Sequence, residues 1–300
     1  MLRPFELYRP TTLPELGALL DEHRDGAALY AGGTELLVLM KEGLVRPRVL
    51  VDVKRVAGLG EIAVTDDALR IGAAVSHRTV ERSPVVHAHR PLVAEVARVV
   101  ANVRVRSVGT VGGNLAFADP HSDLATLYLL FDARVALWSR TGGEREVPLA
   151  EFVRGPYETA RRDDEVLTEI RLPPLPPEAA GAYLKFGVHE RPTLGVAAAL
   201  VLDPARRRVV TARLAVGCIG GRPQRLSVLE HGLREAPIEA LASARVDPAA
   251  DGIDAISDLH GSAEYKLEMA QVFVRRALRL AAARAMRQVV DAHYAHTVAV

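Results

Sequence analysis

Ala27-Ala28-Leu29-Tyr30-Ala31-Gly32-Gly33-Thr34-Glu35 is the stretch on which the fold turns. Its apolar residues predict a short buried strand, and the glycine pair predicts a turn directly after it. Leu36 to Lys41 then has the spacing of a short helix. Upstream, Pro14 to Leu20 carries leucines at 16, 19 and 20 on one helical face, with Thr11 or Thr12 placed to cap it. Downstream, Val49-Leu50-Val51-Asp52-Val53 predicts another strand. This alternation gives a small α/β unit over residues 1–55.

A second glycine pair stands in Ser107-Val108-Gly109-Thr110-Val111-Gly112-Gly113-Asn114. Glycine lets the backbone adopt positive φ and approach a ligand closely. Successive N–H groups in such a turn form a concave anion site. Two of them suit the two phosphates of a dinucleotide, although each pair taken singly reads more simply as a tight turn. Around the second pair, Ile62 to Val64 and Leu69 to Ala73 predict strands about the turn Asp66-Asp67. Leu92 to Val99 and Asp123 to Phe131 predict helices, and Arg134 to Trp138 and Leu167 to Leu172 predict strands. Together they make a second unit over residues 56–175.

Pro173-Pro174-Leu175-Pro176-Pro177 marks the clearest boundary, a stiff extended linker. Residues 176–300 follow. Ala182 to Phe186, Val196 to Leu202 and Val209 to Val216 predict a three-stranded antiparallel sheet, with Asp203-Pro204 and Arg206 to Arg208 at one hairpin tip. Ser262 to His293, nearly free of breakers, predicts a long helix. The fold class expected is α+β.

The 300 residues suit about two domains. With 49% hydrophobic and 25% charged residues, the composition is that of an ordinary globular chain. A net charge of +1 gives no bias toward nucleic acid or a membrane surface. No apolar run approaches the length of a membrane span, and the N-terminus lacks the apolar core of a signal peptide. The single cysteine, Cys218, excludes a disulfide framework and a cysteine-held zinc or iron–sulfur centre within the chain. A bridge-free chain fits the cytoplasm.

Several motifs are missing. There is no Gly-x-Gly-x-x-Gly, no P-loop and no Gly-x-Ser-x-Gly elbow. His121-Ser122-Asp123 has triad residue types without triad spacing. His87, His89, His293 and His296 read as surface histidines, and Arg98, Arg104 and Arg106 as a solvated or partner-facing edge.

Ala31-Gly32-Gly33-Thr34-Glu35-Leu36 with Met40-Lys41, and Thr110-Val111-Gly112-Gly113-Asn114-Leu115 with Asp119-Pro120 and Ser122-Asp123-Leu124, resemble the FAD-binding subunits of the molybdenum hydroxylases. That group includes aerobic carbon monoxide dehydrogenase and xanthine dehydrogenase. Gly155-Pro156-Tyr157-Glu158-Thr159-Ala160 and Leu167 to Pro173 resemble the end of the family's flavin domain. Ala182 to Phe186, and Ser257 to Lys266 with Arg275-Arg276-Ala277-Leu278, resemble its C-terminal domain. The blocks are collinear over nearly the whole chain.

The resemblance implies a two-subdomain FAD-binding domain of the vanillyl-alcohol-oxidase type followed by a smaller C-terminal domain. It implies non-covalent FAD, its pyrophosphate on the backbone of both glycine turns. Leu29, Tyr30, Ala31, Gly32, Gly33, Thr34 and Glu35 would form the first contact segment, and Val108, Thr110, Val111, Gly112, Gly113 and Asn114 the second. Phe117, Arg161 and Leu167 would complete the site. Asp123 matches an acid at the adenosine half, and Lys185 a base at the flavin end, where its charge would stabilise reduced flavin. Cys218 is expected to be a buried apolar residue, not a covalent anchor.

The chain departs from the family at three places. Arg161 replaces an aliphatic residue, Arg191-Pro192-Thr193-Leu194-Gly195 lacks the usual aspartate or tyrosine, and Phe117 replaces a polar residue. The activity implied is that of an electron-transfer oxidoreductase subunit. It would serve a large partner holding the molybdenum cofactor and a small partner holding [2Fe-2S] clusters, in a dimer of heterotrimers, with NAD, oxygen or a quinone-linked acceptor at the end. The alanine-rich face of residues 263–290 is a candidate partner surface, or else core. A stand-alone flavin oxidase and a scaffold that has lost FAD are the alternatives.

Overall fold

The computed structural model describes residues 2–188, 191–289 and 292–300. Three sheets, each with its own helices, follow one another along the chain. In the first, β1 (Glu6–Tyr8), β2 (Ala27–Tyr30) and β3 (Val49–Asp52) run parallel in the order β1-β3-β2. β3 is buried along its length, as a central strand must be. α1 (Leu13–His23) connects β1 to β2. Its start is fixed by a capping box: Thr12 Oγ1 accepts from the Glu15 N–H, and the Glu15 carboxylate accepts from the Thr12 N–H. α2 (Leu36–Lys41) begins beyond the first glycine pair.

The second sheet is antiparallel. β4 (Ile62–Thr65) and β5 (Ala68–Gly72) form a hairpin whose turn residues, Asp66 and Asp67, both have positive φ (49° and 62°), as a right-twisted two-residue turn needs. The chain then leaves the sheet through six helices: α3 (His77–Arg82), α4 (Pro84–His89), α5 (Pro91–Val99), α6 (Val103–Val108), α7 (Val111–Phe117) and α8 (Asp123–Leu130). It returns as the hairpin β6 (Arg134–Ser139) and β7 (Gly143–Pro148). The short helix α9 (Leu149–Phe152) and the small hairpin of β8 (Val153–Gly155) and β9 (Glu158–Thr159) lead to β10 (Val166–Leu172), which inserts between β5 and β6.

The third sheet has five strands, not the three expected. β11 (Ala180–Phe186), β12 (Leu194–Leu202) and β13 (Val209–Gly217) are joined at the edges by β14 (Gln224–Arg225) and β15 (Thr297–Ala299), in the order β14-β13-β12-β11-β15. Strands of two and three residues are too short to leave a period in the sequence. α10 (Ser227–Leu233) packs beside β13. The long helix α11 (Ala263–Ala285) is shorter than the expected span to His293. Past its end, Arg287 turns left-handed (φ 58°), and the chain comes back to pair β15 with β11. Residues 290 and 291 of that span lie outside the described residues.

This sheet is covered on both faces. Alternation sends Ala182, Leu184, Val196, Ala198 and Leu214 toward Phe273, Val274, Ala277 and Ala281 of α11. The alanine-rich face of α11 is therefore core within the chain rather than a partner surface. The other face, with Tyr183, Ala197, Ala199 and Ala215, joins the core around α8. All eight residues of α8 are buried. Small side chains let it lie close to the sheet, and a Cβ at Gly217 would collide with the Thr126 hydroxyl. This packing brings the first residue of α8, Asp123, against β11.

Candidate functional site

The two glycine segments meet. A Cβ on Gly32 would collide with the carbonyl oxygen of Val108 and lie 2.7 Å from the Gly109 Cα. Gly33 sits at φ 71°, and its missing Cβ leaves room for the Tyr30 ring beneath it. Behind that ring lies the Lys54 ammonium, 4.1 Å from the centroid. The N–H groups of Gly32, Gly33, Thr34 and Glu35 have no acceptor among the described residues. Four successive amides without acceptors, with one residue at positive φ, leave this segment's donors available.

The second pair is built differently. Gly112 and Gly113 lie inside α7, not in a turn, and neither has positive φ. Their amides are already engaged: Gly112 N–H donates to Ala73 O and Gly113 N–H to Thr110 Oγ1, each at 3.0 Å. Val111 and Asn114 donate to Val75 O and Thr110 O. The expectation that this backbone cradles a phosphate through its N–H groups is therefore corrected. Gly112 is required by close packing, because a Cβ there would stand 2.7 Å from the Ala73 Cα. A Cβ on Gly113 would approach only Thr110 Oγ1, so this glycine opens space. Asn114 accepts from the Ser122 hydroxyl at 2.6 Å, which leaves its own NH₂ for another group.

Where the segments meet, a cavity of about 1150 Å³ opens, larger than the ~300–1,000 Å³ of common small-molecule sites. Leu29, Ala31, Gly32, Gly33, Thr34 and Glu35 line it, as do Thr110, Gly112, Gly113, Asn114, Phe117, Asp123, Arg161 and Leu167. Tyr30, Val108, Val111 and Lys185 stand behind this wall. Tyr30 supports Gly33, Val108 touches Gly32, and Val111 is core. Cys218 is buried, as expected, and also lies away from the cavity.

Asp123 and Lys185 form one buried ion pair. Lys185 Nζ lies 2.7 Å from Asp123 Oδ2 and donates to Val99 O at 3.1 Å, while the Tyr183 hydroxyl donates to Asp123 Oδ1 at 2.9 Å. Burial pushes the Asp123 carboxyl above its ordinary value, with the Lys185 charge and hydrogen bond pulling against it. Two residues in contact cannot mark opposite ends of an extended dinucleotide. The assignment of Asp123 to one half and Lys185 to the other is corrected: both mark a single place, and Lys185 reaches the cavity only through Asp123.

The departures also resolve. Among the described residues Arg161 makes no ion pair, and its guanidinium donates to the carbonyls of Arg162 and Glu165 at 2.8 Å, closing the loop between them. The Phe117 ring meets Tyr157 edge-on, with centroids 5.1 Å apart. Arg191 spans the cavity mouth, 2.9 Å from Asp119 and 3.2 Å from Glu35. Burial alone would raise the Asp119 carboxyl, but hydrogen bonds from His121 and the Arg191 charge outweigh it and hold Asp119 below its usual range. Arg106 is no solvated edge. It pairs with Glu81 at 3.2 Å and donates to Val100 O and Ala101 O, fixing a bend in which Ala101 has positive φ (40°).

Sequence reasoning missed His77, Val100, Ala101 and Val105, which also line the cavity. None carries a motif. Only the glycine at 109, packed against His77, hints that something approaches there.

Comparison with known proteins bears on the whole chain. Residues 3–175 match the FAD binding domain in molybdopterin dehydrogenase, and residues 189–281 match the CO dehydrogenase flavoprotein C-terminal domain. Caffeine dehydrogenase subunit beta of a Pseudomonas species is 31% identical, over 93% of this chain and 95% of the relative. The carbon monoxide dehydrogenase medium chain of Hydrogenophaga pseudoflava is 33% identical, over 93% and 98%. A solved carbon monoxide dehydrogenase structure from that organism superposes with a TM-score of 0.88 at 33% identity, covering 95% of this chain and 99% of its own. A cavity rimmed by bare glycines and free amides suits the group that this family is named for. The chain belongs to the FAD-binding flavoprotein subunits of the molybdopterin dehydrogenases, a family of oxidoreductases.

Proposed function

We propose that this chain is the electron-transfer subunit of a multi-subunit molybdenum hydroxylase, holding FAD without a covalent bond. The observation that carries this reading is the run of four unpaired amides, Gly32 to Glu35, at the seam of the two glycine segments. Those amides would hold the pyrophosphate. Gly113 would leave it room, and the Thr110 hydroxyl and Asn114 NH₂ would add side-chain donors.

The part of the cavity lined by Val100, Ala101 and Val105 is apolar and suits the ring system. The part lined by Asp21, Arg24, Asp25 and Asp163 suits the adenosine. Lys185, behind Asp123, puts a positive charge near the ring while Asp123 keeps it from direct contact. Bound FAD would supply a two-electron store between single-electron donors and NAD, oxygen or a quinone-linked acceptor. Arg191, with Asp119 and Glu35, narrows the mouth through which that acceptor must approach.

The rest of the assembly follows from the relatives. One is named a medium chain and another a subunit beta, so each works within a larger enzyme. In this reading a large partner holds the molybdenum cofactor, a small partner holds [2Fe-2S] clusters, and two such heterotrimers pair in the cytoplasm. Substrate choice then lies in the large partner. The architecture is read as two flavin-binding subdomains of the vanillyl-alcohol-oxidase type, residues 1–55 and 56–175, with the C-terminal domain at 176–300. Among the described residues no helix is long and apolar enough to cross a membrane.

The test is purification of the native complex. A flavin spectrum, with an iron–sulfur chain and a large molybdenum chain co-purifying, is expected. A yellow chain without those partners favours the stand-alone oxidase, and a colourless chain that takes up no FAD favours the scaffold.

A further inference from the structure

The peptide that opens the first glycine pair is held from behind. Lys54 lies on the single 3₁₀ turn, Val53–Arg55, that follows β3. Tyr30 and Asp52, the last residues of β2 and β3, are neighbours in the parallel register. The Lys54 ammonium lies 2.7 Å from Asp52 Oδ1 and 4.1 Å from the Tyr30 ring centroid, and it donates to Ala31 O at 2.9 Å. Asp52 is itself fixed, since it is buried and its Oδ1 also accepts from the Lys54 N–H at 3.1 Å. One ammonium thus ties the end of β3 to the two residues before Gly32. Gly33 is reached as well, because its missing Cβ leaves room for the ring that Lys54 covers.

A trans peptide puts its C=O and its N–H on opposite sides of one plane. The bond from Lys54 to Ala31 O therefore also fixes the Gly32 N–H, on the side turned away from Lys54. Ala31, Gly32 and Gly33 line the cavity, and Lys54 does not. We propose that Lys54 is a positioning residue for the first glycine segment: from outside the cavity it locks the Ala31–Gly32 peptide so that the Gly32 N–H is presented to the diphosphate bridge. The proposal rests on reading the cavity as the FAD site. The Lys54 charge is matched at 2.7 Å by Asp52, with Arg9 3.9 Å from the same carboxylate. It acts through the geometry of the turn and not as a free cation drawing in phosphate. An amide aimed before the ligand arrives costs less ordering on binding.

The experiment uses the full chain stripped of FAD and titrated with it. Lys54→Met keeps an unbranched stem beside Tyr30 and removes the donor. It should weaken FAD binding about fivefold, the worth of one hydrogen bond left out of line. Lys54→Arg, which keeps a cationic donor, should recover part of that loss. Asp52→Asn, which loosens the ammonium without removing it, should weaken binding by a smaller factor. The ratio of parent to Lys54→Met affinity should be the same at about 0.05 and 0.5 M salt, because salt screens attraction between exposed charges and not the plane of a held peptide. In ¹⁵N amide spectra the Gly32 signal should move when FAD is added to the parent, and move less in Lys54→Met.

Parent-like FAD affinity in Lys54→Met, or a loss that vanishes at the higher salt, would each overturn the proposal. If Lys54→Met does not fold, Asp52→Asn is read by the same measures, and parent-like affinity there overturns it too. The Gly32 signal separates the two levels. A signal that FAD leaves unmoved in the parent defeats the reading of the cavity, whereas one that moves alike with and without the Lys54 donor defeats only the role of Lys54.

Discussion

Around Gly32-Gly33 the backbone is irregular, one residue has positive φ, and four successive amides lack acceptors. Around Gly112-Gly113 the backbone is helical and every amide from 111 to 114 is engaged. The same two letters serve different needs: donors and a tight approach in the first segment, room in the second. Their anchoring differs too. The first segment hangs on a small parallel sheet. The second runs through the Asn114–Ser122 hydrogen bond into α8 and the buried Asp123–Lys185 pair.

The largest effect is expected where the two segments touch. Gly32→Val places a branched side chain against the Val108 carbonyl, a backbone atom that cannot rotate away. FAD retention should be lost, and the apo chain should lose about 1–3 kcal/mol of stability or somewhat more. Flavin content and a denaturant melt measure both. A variant that keeps full flavin would break the comparison, because the seam would then not be where the ligand sits.

Next in size is Lys185→Ala, which removes the anchor of the second segment. It leaves the Asp123 carboxyl buried without its partner, a change that costs about 3–5 kcal/mol. Apo stability should therefore fall more than FAD affinity does. A parent-like melting temperature with a shifted flavin potential would mean instead that Lys185 acts directly on the ring.

Gly113→Ala sharpens the contrast between the two pairs. The new methyl would stand 2.8 Å from Thr110 Oγ1, so the cap must shift, whereas alanine suits a helix better than glycine by up to about 1 kcal/mol. The two effects oppose each other, so apo stability should stay within about 1 kcal/mol of the parent, while FAD binds about tenfold or more weakly. Equal affinity would show that the ligand stays clear of α7.

These cases also mark what could be read without coordinates. The strand before Gly32, the capped α1 and the Asp66-Asp67 hairpin each follow from local spacing, and each stands where expected. That Gly112-Gly113 is helical was hidden, since a glycine pair ordinarily argues against a helix, and here close packing on Ala73 and the Thr110 cap override propensity. The pairing of Asp123 with Lys185 was hidden for another reason. It joins residues 62 apart, brought together when α8 packs on the third sheet. His77 was hidden because it lines the cavity from a different helix and carries no motif.

The smallest expected effect concerns a side chain that spans both segments. Arg191 reaches from the third sheet to Glu35, just past the first pair, and to Asp119, just past α7. Half-exposed pairs of this kind contribute about 0–1 kcal/mol, so Arg191→Ala should barely move the melting temperature at neutral pH. The acid side should differ. The Asp119 carboxyl is held below its ordinary value in the folded state, so its contribution is present above the unfolded value of about 3.9 and is lost as pH falls through the folded one. Without Arg191 the His121 hydrogen bonds remain, and the folded value should rise only part of the way. Melting curves between about pH 2 and 6 should show the variant losing stability at a higher pH than the parent. Identical acid profiles would mean that Arg191 does not couple the segments, leaving the seam at Gly32 as their link across the cavity.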